Sequence, residues 1–191
     1  SDATALARLA QLLLPGIAQR HQLHADLLGH PGEGHPPPYA HYTDPVIATQ
    51  MWRTMQRLGF AGGRVLEPGC GAGTFIGLAP DGVQAVGVEL DPTTAAIAQA
   101  LYPQAEVRAE SFADTRLPAD LFDLTIGNVP FADITLHDPR HNASRHRMHN
   151  HFIIKSLGLT RPGGMVALLT SQHTMDARNP AARREMNDLA D

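Results

Sequence analysis

Short, nearly continuous apolar runs alternate along most of the chain with stretches of helical period. The runs at Arg64–Glu67, Ala85–Glu89, Ala105–Ala109, Leu121–Ile126 and Met165–Thr170 are strand-sized. Between them the spacing predicts helices over Pro45 to about Leu58, Gly73–Leu78, Pro92–Leu101, His149–Leu159 and Pro180–Leu189. Thr43 or Asp44 can cap the first of these with Pro45 at its first position, and Asp91 can cap the helix that begins at Pro92. Pro162-Gly163-Gly164 is expected to stop the helix that ends at Leu159. Strands that are apolar throughout and alternate with helices indicate an α/β fold, with a mostly parallel sheet covered on both faces.

The chain's beginning reads differently. Leu6, Leu9, Leu13 and Ile17 lie near helical spacing, Pro15-Gly16 interrupts them, and a second helical piece is expected over Ile17–Leu28. The segment Gly29–Pro38 is too rich in Gly and Pro for a helix or a central strand. Residues 1–38 therefore read as a helical segment with a linker, and 39–191 as the main domain.

At 191 residues the chain has room for one domain with a real core. Its composition, 43% hydrophobic and 18% charged, is that of a folded globular protein. No apolar run reaches the roughly 18 residues of a membrane span. A net charge of -4 argues against a stand-alone nucleic-acid binder held by bulk charge, though not against an enzyme that touches nucleic acid locally. The single cysteine, Cys70, allows no internal disulfide and fits a reducing, cytoplasmic setting.

Ligands of open α/β sheets bind beyond the carboxyl ends of the strands, which directs attention to the residues just past each strand. After the first comes Glu67-Pro68-Gly69-Cys70-Gly71-Ala72-Gly73-Thr74-Phe75. Its glycines permit a sharp turn with a ligand against the backbone, although a plain strand-to-helix turn uses the same residues. A dinucleotide loop would place its third glycine where Thr74 stands, and the preceding Glu67 repels a pyrophosphate but suits an ammonium. After the second strand come Glu89, Leu90 and Asp91. Glu89 lies 20 residues past Gly69, where an acid accepts both hydroxyls of a ribose. After the fourth comes Gly127-Asn128-Val129-Pro130-Phe131. An Asn side-chain oxygen and a neighbouring main-chain carbonyl can accept both hydrogens of a planar amino group. That pulls the nitrogen lone pair out of conjugation while Phe131 stacks on the ring. Taken alone, the stretch could equally be an Asn-started turn before an apolar anchor.

Together these elements resemble class I methyltransferases that use S-adenosylmethionine, and more narrowly the DNA methyltransferases acting on adenine N6. Asn128-Val129-Pro130-Phe131 resembles their catalytic Asn-Pro-Pro-Tyr or Asn-Pro-Pro-Phe, with Asn128 also implied as a cofactor contact. Glu67–Phe75 resembles their methionine-side loop, with Glu67, Pro68, Gly69, Cys70, Gly71, Gly73 and Phe75 as cofactor contacts, and Glu89 with Leu90 matches the ribose acid. His41-Tyr42-Thr43-Asp44-Pro45 resembles their Tyr-Thr-Pro element, which implies Tyr42 and Thr43 at the methionine carboxylate. The cofactor adenine is then expected at Glu110-Ser111-Phe112. The resemblance spans about Tyr39–Thr170 and implies a Rossmann-like three-layer sandwich. Five parallel strands are counted where that family has seven, so the last two are expected to be missing. A finer similarity, to the methylase part of bacterial and phage helicase–methylase fusions, implies DNA with a flipped-out adenine as partner and further helicase or target-recognition parts.

Two departures stand out. Val129 replaces the first proline of the tetrapeptide, which lowers backbone rigidity there, and Asp44 interrupts the Tyr-Thr-Pro element. The same resemblance leaves RNA bases, protein glutamine, or a silent cofactor- or partner-binding module as alternatives. One stretch is unabsorbed: His137, His141, His146, His149 and His151 are interleaved with Arg140, Arg145 and Arg147. Their spacing follows no zinc pattern. The arginines are candidate phosphate contacts, the alternative being a solvated loop.

Overall fold

The computed structural model describes residues 43–190. The two N-terminal helices and the linker expected before Tyr39 lie outside the described residues, as does Tyr42. In chain order the elements are α1 (Pro45–Arg57), β1 (Gly63–Pro68), α2 (Thr74–Gly77), β2 (Val83–Glu89) and α3 (Pro92–Leu101). Next are β3 (Glu106–Ala109), β4 (Phe122–Asn128), α4 (Met148–Leu159), β5 (Thr160–Leu169), α5 (His173–Asp176) and α6 (Ala181–Leu189). The five strands form one parallel sheet in the order β3-β2-β1-β4-β5.

Alternation along the strands sorts the core into layers. Val65 of β1, with Leu124 and Ile126 of β4, packs against Ala48, Trp52 and Met55 of α1 and Phe75 of α2. Ala85 of β2 and Val107 of β3 join Ile97, Ala98 and Leu101 of α3, with Ala85 in register with Val65. The intervening Leu66, Val86 and Val88 meet Phe152 and Leu159 of α4 across the sheet. Helices thus cover both faces, α1–α3 on one and α4 on the other, as strands buried on two sides require.

Local chemistry sets the element ends. Asp44 caps α1, its Oδ1 accepting the Val46 N–H at 2.8 Å, and Asp91 caps α3 through the Thr94 N–H at 2.7 Å. Two boundaries differ from the pattern's expectation. Strand β4 runs through Asn128 rather than stopping near Ile126. The Pro162-Gly163-Gly164 stretch lies inside β5 rather than before it, because the chain re-enters the sheet at Thr160, opposite Phe122. The register then shifts, so that Leu124 faces Met165. Proline cannot donate to the ladder and Gly163 has φ 73°, so these residues are taken up as an irregularity. Asp123 fastens it by accepting from Arg161 Nε at 2.7 Å and from the Arg64 N–H at 2.8 Å.

Candidate functional site at the carboxyl edge of the sheet

The strand order reverses between β1 and β4, and the crevice beyond such a reversal is the natural ligand site of an open α/β sheet. The glycine turn leaves β1 there, and Asn128 ends β4 beside it. Gly69, Gly71 and Gly73 all have positive φ, at 68°, 54° and 85°. At Gly73 a Cβ would lie 2.9 Å from the Tyr102 ring, so shape and conformation both demand glycine. At Gly69 a Cβ would lie 3.2 Å from Pro130 Cδ. The glycine turn and the Asn128–Phe131 turn, about 60 residues apart in sequence, therefore touch.

The acids are held by backbone. Glu67 is 4% exposed, and its Oε2 accepts the Ile76 N–H at 3.1 Å. Burial pushes its carboxyl well above the usual range, against the lowering effect of the Ile76 and Phe75 N–H groups. A cation placed beside it would offset that penalty. Glu89 accepts the Gly71 N–H at 2.9 Å with one oxygen and the Asp91 N–H at 2.8 Å with the other. Burial raises its carboxyl too. Each oxygen keeps a further acceptor position. Leu90 beside it is exposed. At the end of β3, the Glu110 N–H bonds to Glu89 O, and Glu110 Oε1 is buried 3.8 Å from Arg108 Nη1, without a hydrogen-bond partner among the described residues.

Other expected contacts fall in the core. Cys70 is buried, its Sγ 2.8 Å from where a Cβ on Gly87 would stand, and burial pushes its thiol up, which suits a small packing residue. Phe75 is buried, and its carbonyl accepts from Trp52 Nε1 at 3.0 Å, tying α1 to α2. Phe112 lies against Phe152, with ring centroids 4.8 Å apart. Ser111 accepts the Ala113 N–H with its Oγ, and its carbonyl accepts the Thr115 hydroxyl. Thr43 is half-buried just before α1, and Asp44 is engaged as that helix's cap.

The Asn turn is firmer than its sequence implies. Val129 is buried and its N–H donates to Leu169 O at 3.0 Å, a bond proline could not make. Backbone rigidity lost with the proline is thus recovered by one more rung of the β4–β5 pairing. Asn128 itself is half-buried and Phe131 stands at 36% exposure.

The histidine- and arginine-rich segment is a built structure rather than a solvated loop. Asp138 and His151 are fully buried, and Asp138 Oδ2 lies 3.1 Å from His151 Nε2 and 3.3 Å from His141 Nδ1. His146 Nε2 meets Glu185 of α6 at 2.9 Å, and the Asn142 amide bonds to the carbonyls of Leu136 and His146. Of the arginines, Arg140 and Arg145 are exposed. Arg147 is exposed too, and pairs with Asp133 at 2.9 Å.

Sequence reasoning overlooked Lys155 of α4. It is fully buried, with Nζ 2.9 Å from Asp138 Oδ2. Burial alone would raise the Asp138 carboxyl, yet hydrogen bonds from Lys155 and His151 hold it well below the usual carboxylate range. The overlooked signal is a lysine inside the run Phe152–Leu159, since a charge there must find a buried partner.

Two solved structures share this architecture. One is a protein of Listeria monocytogenes described as a class I S-adenosylmethionine-dependent methyltransferase. It matches at TM-score 0.65 and 16% identity over 91% of this chain and 57% of its own. The other is the methyltransferase subunit of a type I restriction-modification system from Streptococcus thermophilus, at TM-score 0.66 and 14% identity over 91% of this chain and 42% of its own. The chain has the Rossmann-like fold of class I methyltransferases. With that fold, the glycine turn and the Asn128 turn occupy the ends of its two central strands. In sequence the chain is similar to the "Defense against restriction protein B" of Escherichia phage P1, 29% identical over 143 residues. That match covers 73% of this chain and 6% of the phage protein, so the chain spans a small part of its curated relative. No protein-family model matches. Among the described residues no helix is long and apolar enough to cross a membrane.

Proposed function

We propose that the chain is the cofactor-binding and catalytic core of an S-adenosylmethionine-dependent methyltransferase acting on an exocyclic amino group, adenine N6 in DNA. The observation that carries this reading is the contact of Gly69 with Pro130 across the switch point, which brings the cofactor turn against the amine-binding turn. The fold supports the reading. So do the names of two similar proteins, one a restriction-modification methyltransferase subunit and the other a phage protein of defence against restriction.

The residues present suit the cofactor. Among the described residues no cationic side chain bonds to the buried Glu67, which suits it to an ammonium, and Glu89 keeps acceptor capacity for ribose hydroxyls. Glu110 Oε1, which lies 3.8 Å from Arg108 Nη1 without a hydrogen bond among the described residues, can accept from an adenine amino group. Tyr42 and Thr43 are assigned to the methionine carboxylate. S-adenosylmethionine supplies an electrophilic methyl group on a sulfonium. The chain's own part is to hold and align the acceptor. The Asn128 side-chain oxygen and a main-chain carbonyl of the Val129-Pro130 turn accept the two amine hydrogens, leaving the nitrogen lone pair directed outward. Phe131 stacks on the ring, and the fixed alignment lowers the entropic cost of reaction. An adenine in duplex DNA must leave the stack at a cost of a few kcal/mol. Arg140, Arg145 and Arg147 are assigned to phosphate near that base. Since the net charge is -4, most DNA affinity is assigned to helicase or target-recognition parts.

A silent binding module would be favoured by loss of the proline at Val129, but the Val129–Leu169 bond speaks for a preserved turn. The acceptor is tested by incubating the full chain with S-adenosylmethionine and, separately, duplex DNA, RNA or protein, with mass spectrometry of the products. The expected product is N6-methyldeoxyadenosine from DNA. Methylated RNA or glutamine, with unmodified DNA, would overturn the assignment.

A further inference from the structure

Two turns that the proposed reaction must align converge on one buried cation. The first is the turn after β3, which carries Glu110 and Ser111 and continues through residues 112–115. The second is the segment that opens with Asn128-Val129-Pro130-Phe131 and runs to α4. Lys155 lies beneath both, with no exposed surface. Its Nζ donates to the carbonyls of Phe112, Ala113 (3.3 Å) and Thr115 (3.1 Å), and sits 4.9 Å from the centroid of the Phe112 ring. The fourth acceptor, Asp138 Oδ2 at 2.9 Å, comes from the second segment. Asp138 in turn organises that segment. Its carboxylate accepts the N–H groups of Arg140 (3.2 Å) and His141 (3.3 Å), and its carbonyl accepts that of Asn142 at 2.7 Å.

These facts are unequal to a plain packing role. Three of the four acceptors are main-chain carbonyls of an irregular segment, outside any sheet or helix ladder that would satisfy them. One ammonium with three protons serves four oxygens, so moving any one acceptor redistributes the others. A buried pair of this kind links its two segments more stiffly than the apolar contacts around it.

We infer that Lys155 and Asp138 are positioning residues that couple the Glu110–Thr115 turn to the segment after Asn128, so that ordering one side of the site orders the other. This rests on the methyltransferase reading above. It makes Asp138→Asn the informative substitution. The amide keeps an acceptor and the shape, and Lys155 keeps its three carbonyls, but the ionic link to the second segment is lost.

The test is amide hydrogen exchange of the full chain with and without S-adenosylmethionine. In the wild type the cofactor is expected to slow exchange at least threefold in residues 110–116 and also in residues 133–147. In Asp138→Asn the first protection should persist and the second fall at least threefold, with cofactor affinity within about threefold of wild type. Wild-type protection confined to 110–116 would overturn the inference even if the variant cannot be folded. Unchanged protection of both segments in the variant would overturn it too. No protection anywhere in the wild type would instead remove the cofactor reading on which the inference rests.

Discussion

Single residues carry most of the chemistry, and they differ in how visible they were. Glu89 is expected at the ribose from its offset to the glycine turn, and the structure holds it against the Gly71 N–H. Phe112 was assigned to the cofactor by its place after β3, whereas its ring lies in the core against Phe152. Position along a strand end does not say which way a side chain turns. Lys155 was legible only as a charge in an apolar run, since its partner Asp138 lies 17 residues away in a segment without periodicity. Two outcomes belong to this scale. Lys155→Met would leave the buried Asp138 carboxylate without its ammonium partner, and is expected to lower unfolding free energy by about 3–5 kcal/mol in urea titrations. A loss below about 1 kcal/mol would show the pair to be dispensable. Gly73→Ala meets both φ 85° and the Tyr102 ring at 2.9 Å, and should cost about 1–3 kcal/mol in the same titration.

Elements matched the hydrophobic pattern closely in their order and less closely at their ends. All five strands stand where the apolar runs lie. The extension of β4 to Asn128 escaped notice because that pairing depends on Leu169, which no local signal reveals. The Pro162-Gly163-Gly164 stretch reads locally as a stop, yet Asp123 and Arg161 hold it within the sheet. The least legible element was the segment before α4, whose His141 and His146 pair inward, as does His151 on α4. Burial lowers the pKa of His141, His149 and His151, against the raising effect of Asp138 on His141 and His151. A depressed histidine is neutral in the fold and takes its proton first in the unfolded chain. Stability is therefore lost as pH falls below the usual histidine value of about 6.5. Glu67 and Glu89, whose carboxyls are raised, act in the opposite sense. The His151 contribution is isolated by difference. Between about pH 7.5 and 5.5 the wild type should lose more stability than His151→Gln, by up to about 1.4 kcal/mol per pH unit. Parallel pH profiles from urea denaturation would contradict the buried neutral imidazole.

At the scale of the whole molecule, fold and site were legible to different depths. Parallel topology follows from strands apolar on both sides, and the ligand edge follows from where the strand order reverses. The contact of Gly69 with Pro130 does not follow from either motif, because about 60 residues separate them and only the packing of β1 against β4 brings them together. In the proposed function that contact makes one site of two motifs, and Asn128→Ala tests this reading most directly. With tritiated S-adenosylmethionine and duplex DNA, the account predicts methyl transfer by the wild type and a loss of about 100-fold or more in the variant. Cofactor affinity, measured alongside, should fall far less than transfer does. Equal transfer by both proteins would contradict the account.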